Sequence, residues 1–168
     1  FAMRYQNPSI DSALVEIYSK GYDELVILPL YPQYASASTG STIDYCKNIM
    51  KNWWNMPKLT IINHFCNHPS FINCVVKNTN KMDFNNYDHI LFSYHGLPER
   101  HVDKSHPGST LCVDGDCKEG LSNDNHFCYK AQCYETTKLI ANQLTLSKDS
   151  YSVSFQSRLN NKWIKPYT

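Results

Sequence analysis

No stretch of this chain comes near the roughly 20 consecutive apolar residues that a membrane-crossing helix requires, so nothing in it reads as a bilayer span. No segment shows the charged start, apolar middle and small-residue cleavage site of a secretory signal. An excess of charge of one sign is missing too: 16 Lys and Arg stand against 15 Asp and Glu, a formal net charge of +1. That balance gives no bulk electrostatic case for nucleic acid or for an anionic bilayer; peripheral membrane contact stays open, as does the oligomeric state. The chain also lacks an opening Met. It begins at Phe1 and stops at Thr168, directly after Lys165-Pro166-Tyr167, and is expected to be a piece of something longer.

What is present belongs to a globular protein. Hydrophobic residues make up 42% and charged residues 18% of the 168 positions, which excludes a disordered chain. The length suffices for one domain with a real core or for two partial ones. Seven cysteines are an odd number, and four of them cluster. Such a cluster fits metal binding in a reducing compartment better than a disulfide framework, and a cytoplasmic location is expected.

The order of elements predicts an α/β fold with parallel strands and flanking helices. Phe1 to Tyr5 reads as the end of a strand that delivers Arg4 and Tyr5 to a loop. A helix follows, capped by Asn7 or Ser9 with Pro8 in its first turn; Ile10, Ala13, Leu14 and Ile17 recur at helical spacing and Gly21 closes it. Residues 24–29 and 58–62 read as buried strands. Between them a loop rich in Tyr, Ser and Thr (30–42) leads into a helix from Ile43 to about Trp53, and a helix start of this kind can hold an anion. His64 and His68 could ligate a metal from one helix face, but Pro69 argues that a helix begins there instead. A short helix over 70–77 turns Phe71, Cys74 and Val75 inward, and Cys46, Cys66 and Cys74 are expected to be buried thiols. Residues 78–86 are polar and mark a domain boundary.

Next comes Ile90-Leu91-Phe92-Ser93-Tyr94-His95-Gly96-Leu97-Pro98-Glu99-Arg100. The first half is an apolar run that reads as a buried strand, and Gly96 and Pro98 end it. His95 thus stands where strand gives way to loop, the end of a parallel sheet at which ligands bind. An imidazole there can act as a base near neutral pH or hold a metal, or be a hydrogen-bonded loop histidine. Further on, Cys112, Cys117, Cys128 and Cys133 form C-x4-C-x10-C-x4-C. Four thiols in one polar segment are a metal signal, with two disulfides or four unligated thiols as the alternatives. A helix from Tyr134 to Leu144, with Leu139, Ile140 and Leu144 apolar, places Cys128 and Cys133 near its positive end. Tyr151 to Arg158 alternates as a half-buried strand.

Phe92 to Arg100 resembles the active-site histidine motif of ferrochelatases, enzymes that insert ferrous iron into a porphyrin to make haem. Leu28-Pro29-Leu30-Tyr31-Pro32-Gln33-Tyr34 with Ser38-Thr39-Gly40-Ser41 resembles a second signature of that family, and Phe155-Gln156-Ser157-Arg158 with Trp163-Ile164-Lys165-Pro166-Tyr167-Thr168 a third. Cys128-Tyr129-Lys130-Ala131-Gln132-Cys133 is similar to the close of a cysteine insert found in some bacterial members. The resemblance implies two Rossmann-like lobes, both incomplete here: residues 1–80 from the end of the first, residues 81–168 from the start of the second, with the insert at 103–133. It implies that His95 handles protons or the substrate Fe²⁺, and that Arg4, Tyr5, Tyr31 and Tyr94 line the cleft for protoporphyrin IX or coproporphyrin III. It attributes a [2Fe–2S] cluster to Cys112, Cys117, Cys128 and Cys133, with zinc as the alternative. Ser36 departs from the pattern, standing where animal ferrochelatases have a cluster-ligating cysteine. The family's glutamate that faces the histidine across the porphyrin has no counterpart here, and Glu99 reads as a solvated loop charge. Competing readings are a tetrapyrrole- or metal-binding module without chemistry, an iron–sulfur electron-transfer or sensor domain, and a related cobalt or nickel chelatase.

Overall fold

Ser9 holds extended backbone (φ −76°, ψ 156°) and its Oγ accepts the Ser12 N–H at 3.1 Å, which starts helix α1 (Ile10–Lys20). Such a cap contributes about 1 kcal/mol. Gly21 ends the helix in the left-handed region at φ 63°, where a side chain would be strained. Pro8 precedes the cap rather than lying in the first turn. The computed structural model describes residues 1–83, 86–106 and 117–168. Its contacts divide these into two compact units, Phe1–His64 and Phe65–Thr168.

In the first unit, strand β1 (Glu24–Ile27) pairs in parallel with β2 (Lys58–Ile61), Leu25 opposite Leu59 and Ile27 opposite Ile61. A parallel pair needs a crossover, and helix α2 (Ser41–Met50) supplies it. Ile10 and Leu14 of α1 meet Cys46 and Met50 of α2, with Leu25, Ile27 and Leu59 packed beneath. Alternate residues of a strand face opposite ways, so Val26 and Leu28 stay exposed, whereas the apolar run predicted burial on both faces. Phe1 to Tyr5 is not the expected strand; Met3 makes one bridge to Ser9, its N–H donating to the Pro8 carbonyl at 2.7 Å. The loop ahead of α2 also differs from expectation. Ser36–Gly40 forms a π-helical turn, closed by the Gly40 N–H on the Ala35 carbonyl at 3.1 Å, and runs into α2 with Gly40 already helical. The first turn of α2 therefore is not a free helix start.

In the second unit, β3 (Ile90–His95) pairs in parallel with β4 (Tyr151–Gln156) over six residues, ending at His95 opposite Gln156. Helix α3 (Pro69–Thr79) starts at His68, whose Nδ1 accepts the Ser70 N–H at 3.2 Å. That is a capping role and not half of a metal pair. It packs on α5 (Tyr129–Gln143), so it belongs with this unit, although the expected lobe boundary after residue 80 would assign it to the first. Ile72 is its buried residue and Cys74 is exposed, contrary to expectation. Helix α4 (Glu99–Asp103) is a short turn after β3, with Glu99 half-buried in its first turn.

The α5 helix begins five residues before the apolar spacing predicts. Its buried side is Ala131, Cys133, Thr136, Thr137, Ile140 and Ala141 with Gln132, a mostly polar and small-residue face. These groups are satisfied locally: Thr136 Oγ1 donates to the carbonyls of Cys66 at 2.7 Å and Gln132 at 3.0 Å. The core of this unit is Phe155, Ile164, Val102 and Val153 together with Cys117, Cys128 and Cys133. Burying Phe155 alone contributes about 2–3 kcal/mol. Among the described residues no helix is long and apolar enough to cross a membrane.

Candidate active site

His95 is the last residue of β3 and lies on its exposed side with Leu91 and Ser93, while Ile90, Phe92 and Tyr94 turn inward. The turn after it is tightly held. The Gly96 N–H donates to the Gln156 carbonyl at 2.8 Å, and Gly96 is buried. A Cβ there would lie 2.7 Å from that carbonyl oxygen and 3.3 Å from Trp163 Cε3, so only glycine lets β3 and β4 stay paired to their ends. Residues 97–99 then pair with 162–164: Ile164 N–H donates to Leu97 O at 2.9 Å, and Glu99 N–H to Lys162 O at 2.9 Å. The two sequence signatures around His95 and Trp163 are thus one structure, 60-odd residues apart in the chain. Thr168 closes the same face, its hydroxyl 3.2 Å from Ser93 Oγ and 2.7 Å from Ser154 Oγ.

A phenol approaches from behind. The Tyr129 hydroxyl, at the start of α5, donates to the His95 carbonyl at 2.9 Å. Burial, then the neighbouring Cys133, push its ionisation well above the ordinary tyrosine range. Tyr94 does not share the face of His95. Its ring lies 6.3 Å from that of Phe155, and its hydroxyl shares a 2.8 Å hydrogen bond with Thr137 Oγ1. Burial raises its pKa as well. Tyr94 is therefore a core residue tying β3 to α5, and the expectation that it walls a cleft beside His95 is corrected, because adjacent strand residues point to opposite faces.

In the first unit, Arg4 and Tyr31 line one cavity of about 560 Å³, floored by β1 and flanked by α1 and by Thr42 and Cys46 of α2. The Arg4 guanidinium lies over the Tyr45 ring at 3.9 Å and near Tyr5 at 5.0 Å. Tyr45 donates its hydroxyl to Asp11 Oδ2 at 2.7 Å, so the ring beneath the cation is fixed. Arg4 Nε is buried without a hydrogen-bond partner among the described residues. Tyr5 is 83% exposed and lies outside the cavity lining. Nothing in the sequence marks Tyr45 as the ring beneath Arg4 or Asp11 as the anchor of that ring, since Tyr45 and Asp11 lie 34 residues apart on different helices.

Cys117 and Cys128 are buried and form no disulfide, with sulfurs 3.8 Å apart. That is the separation of two ligands on one tetrahedral metal with metal–sulfur bonds of about 2.3 Å. The proton the pair shares holds Cys117 well above the ordinary thiol range, with burial adding to it. Cys128 is the residue at the start of α5, where the helix dipole favours a thiolate. Cys133 lies one turn further along, fully buried, its thiol pushed well above the ordinary range by burial. Cys112 lies outside the described residues. Among the described residues no three Cys, His, Asp or Glu side chains converge on a metal position. The Cys117–Cys128 pair fits a metal or cluster; Cys133 does not join it.

Residues 1–168 match the family model described as Ferrochelatase. The chain is 44% identical over 167 residues to a ferrochelatase of Legionella pneumophila (strain Corby), covering 99% of this chain and 49% of the relative. It is 40% identical over 171 residues to one from Coxiella burnetii (strain Dugway 5J108-111) and 37% identical over 169 residues to one from Pseudomonas fluorescens biotype C; these cover 99% of this chain and 46% and 50% of the relatives. The chain spans about half the length of the curated relatives it matches.

Proposed function

The chain belongs to the ferrochelatase family, and on that premise we propose that the protein inserts Fe²⁺ into a porphyrin as a step of haem biosynthesis. The observation that supports this most is the position of His95: exposed at the carboxyl end of a parallel strand, behind a glycine that tolerates no side chain. Metallation must take two protons from the pyrrole nitrogens and strip water from the iron. A neutral imidazole at that place accepts a proton or receives the incoming metal as a nitrogen ligand. Arg4 offers the cationic group for a porphyrin propionate, and Tyr31, in the same cavity, an aromatic surface for the macrocycle. Binding the ring in a bent shape lowers the barrier by part of the roughly 1–5 kcal/mol such strain can hold. In the full-length protein the two units, divided after His64 rather than at the expected residue 80, would belong to two similar lobes, with Tyr5 beside Arg4 as a further porphyrin contact; a cytoplasmic location is proposed with them, since thiols that ligate a metal fit a reducing compartment.

The insert is read the same way. Cys117 and Cys128 would hold a [2Fe–2S] cluster, with Cys112 as a third ligand; Cys133 would have to turn out of its buried place to complete the set, and zinc is the alternative. Such a cluster, when bound, carries one electron at a time. Protein purified without oxygen is expected to be brown and to carry roughly two irons per chain, lost in Cys117→Ser; stoichiometric zinc without iron overturns the cluster and leaves the family untouched. The enzyme reading is tested on full-length protein by adding Fe²⁺ anaerobically to its porphyrin complex. Conversion of the free-base absorbance to that of haem is expected. A spectrum that reports binding alone would reduce the protein to a tetrapyrrole carrier.

A further inference from the structure

The last two residues of β3 are both hydrogen-bonded to α5, in opposite senses. The Tyr94 hydroxyl reaches Thr137 on the helix, while the helix's Tyr129 hydroxyl reaches back to the His95 carbonyl at 2.9 Å. The second bond is the unusual one. The N–H groups of Ile90 and Gly96 both turn toward β4, so the His95 carbonyl faces the other edge of β3, where among the described residues no strand pairs with it and it would turn to water. A phenol from 34 residues away takes that place. The same phenol follows directly on Cys128, whose sulfur lies 3.8 Å from that of Cys117, and Cys133 stands one helical turn further on. Tyr129 is therefore bracketed by cysteines one residue before and four after it, on the helix turn that any event at those sulfurs must move.

We propose that Tyr129 is a positioning residue for His95, through which the state of the cysteine segment sets where the imidazole stands. The proposal rests on the ferrochelatase reading of His95 but not on the identity of the metal. Drawing Cys117 and Cys128 onto a metal fixes the first turn of α5. The phenol on that turn then fixes the carbonyl of His95, and with it the backbone from which the imidazole projects. Releasing the sulfurs lets the turn shift and loosens that backbone. A misplacement of about 1 Å at a reacting group can cost on the order of a hundredfold in rate, so the coupling needs no large motion.

Tyr129→Phe removes the hydroxyl and keeps the ring in its packed place. His-Gly occurs once in this sequence, at His95-Gly96. Labelling full-length protein with carbonyl-¹³C histidine and ¹⁵N glycine therefore gives this chain a single HNCO cross-peak, which reports the bond directly. In Tyr129→Phe that cross-peak is expected to move, and kcat for iron insertion to fall about tenfold to a hundredfold, with porphyrin KM changed less than about twofold. In Cys128→Ser the same cross-peak should move in the same direction. An unmoved cross-peak in Tyr129→Phe, or an unchanged kcat, overturns the positioning role; a cross-peak that moves in Tyr129→Phe but not in Cys128→Ser overturns the link to the cysteines. If the wild-type protein inserts no iron, the enzyme reading fails separately, since the cross-peak needs no turnover.

Discussion

Replacing Gly96 by Ala puts one methyl group at the point where the two strands behind His95 end. The added carbon meets the Gln156 carbonyl oxygen at 2.7 Å and Trp163 Cε3 at 3.3 Å. The oxygen is backbone, so it cannot swing aside. It is also the acceptor for the Gly96 N–H at 2.8 Å, so relieving the clash stretches that hydrogen bond. Overpacking of this kind costs about 1–3 kcal/mol, and weakening the bond adds about 1 kcal/mol. A total of about 2–4 kcal/mol lowers Tm by roughly 4–16 °C for a protein of this size. Thermal unfolding followed by circular dichroism measures it. Gly21→Ala is the internal standard: nothing lies within 4 Å of its added Cβ, so the cost there is the φ of +63° alone, about 1–2 kcal/mol. A Gly96→Ala protein that melts within a degree of wild type would refute the close approach, and with it the account of how the His95 turn is held.

Tyr94→Phe should cost about 1–3 kcal/mol, because it leaves the buried Thr137 hydroxyl without its 2.8 Å partner. Adding Thr137→Val should recover part of the loss, measured as the urea midpoint; strictly additive losses would mean the two hydroxyls do not interact. Stability should decline at alkaline pH for an identifiable reason. Burial, with Glu135 nearby, pushes the Cys66 thiol up to about 11, whereas an unfolded thiol ionises near about 8.5. The folded state thus keeps a proton that the unfolded state releases, so stability is full below the unfolded value and falls as pH rises from there toward 11. Urea midpoints across that window should fall less steeply in Cys66→Ala; an identical slope would remove Cys66 as a cause.

Much of this arrangement can be read from apolar runs and punctuation. The four strands lie where short runs rich in Ile, Leu, Val and Phe stand between turn residues, and α1 runs from its Ser9 cap to Gly21 as its spacing predicts. The resemblance of the histidine motif leads to the family that the relatives bear out. What escapes a reading of pattern has physical reasons. The buried face of α5 is made of Cys133, Thr136 and Thr137, whose polarity hides its helical period and delays its apparent start to Tyr134. The π-helical turn at Ser36–Gly40 rests on one bond five residues long, with no periodic signature. Tyr94 is a different case: strand alternation alone places it opposite His95, and neighbourhood in the motif argues the wrong way. Tyr129 is visible only as the residue between two cysteines, since nothing local announces a bond to a carbonyl 34 residues earlier.

The most direct test of the central claim compares full-length wild type with His95→Ala, each loaded with porphyrin and given Fe²⁺ without oxygen while absorbance is followed. His95 is exposed and its face of β3 carries no core side chain, so the variant should fold and bind porphyrin as wild type does. The account predicts that the wild-type spectrum converts to haem and that of His95→Ala stays free-base at equal porphyrin affinity. Conversion by His95→Ala at the wild-type rate would contradict it.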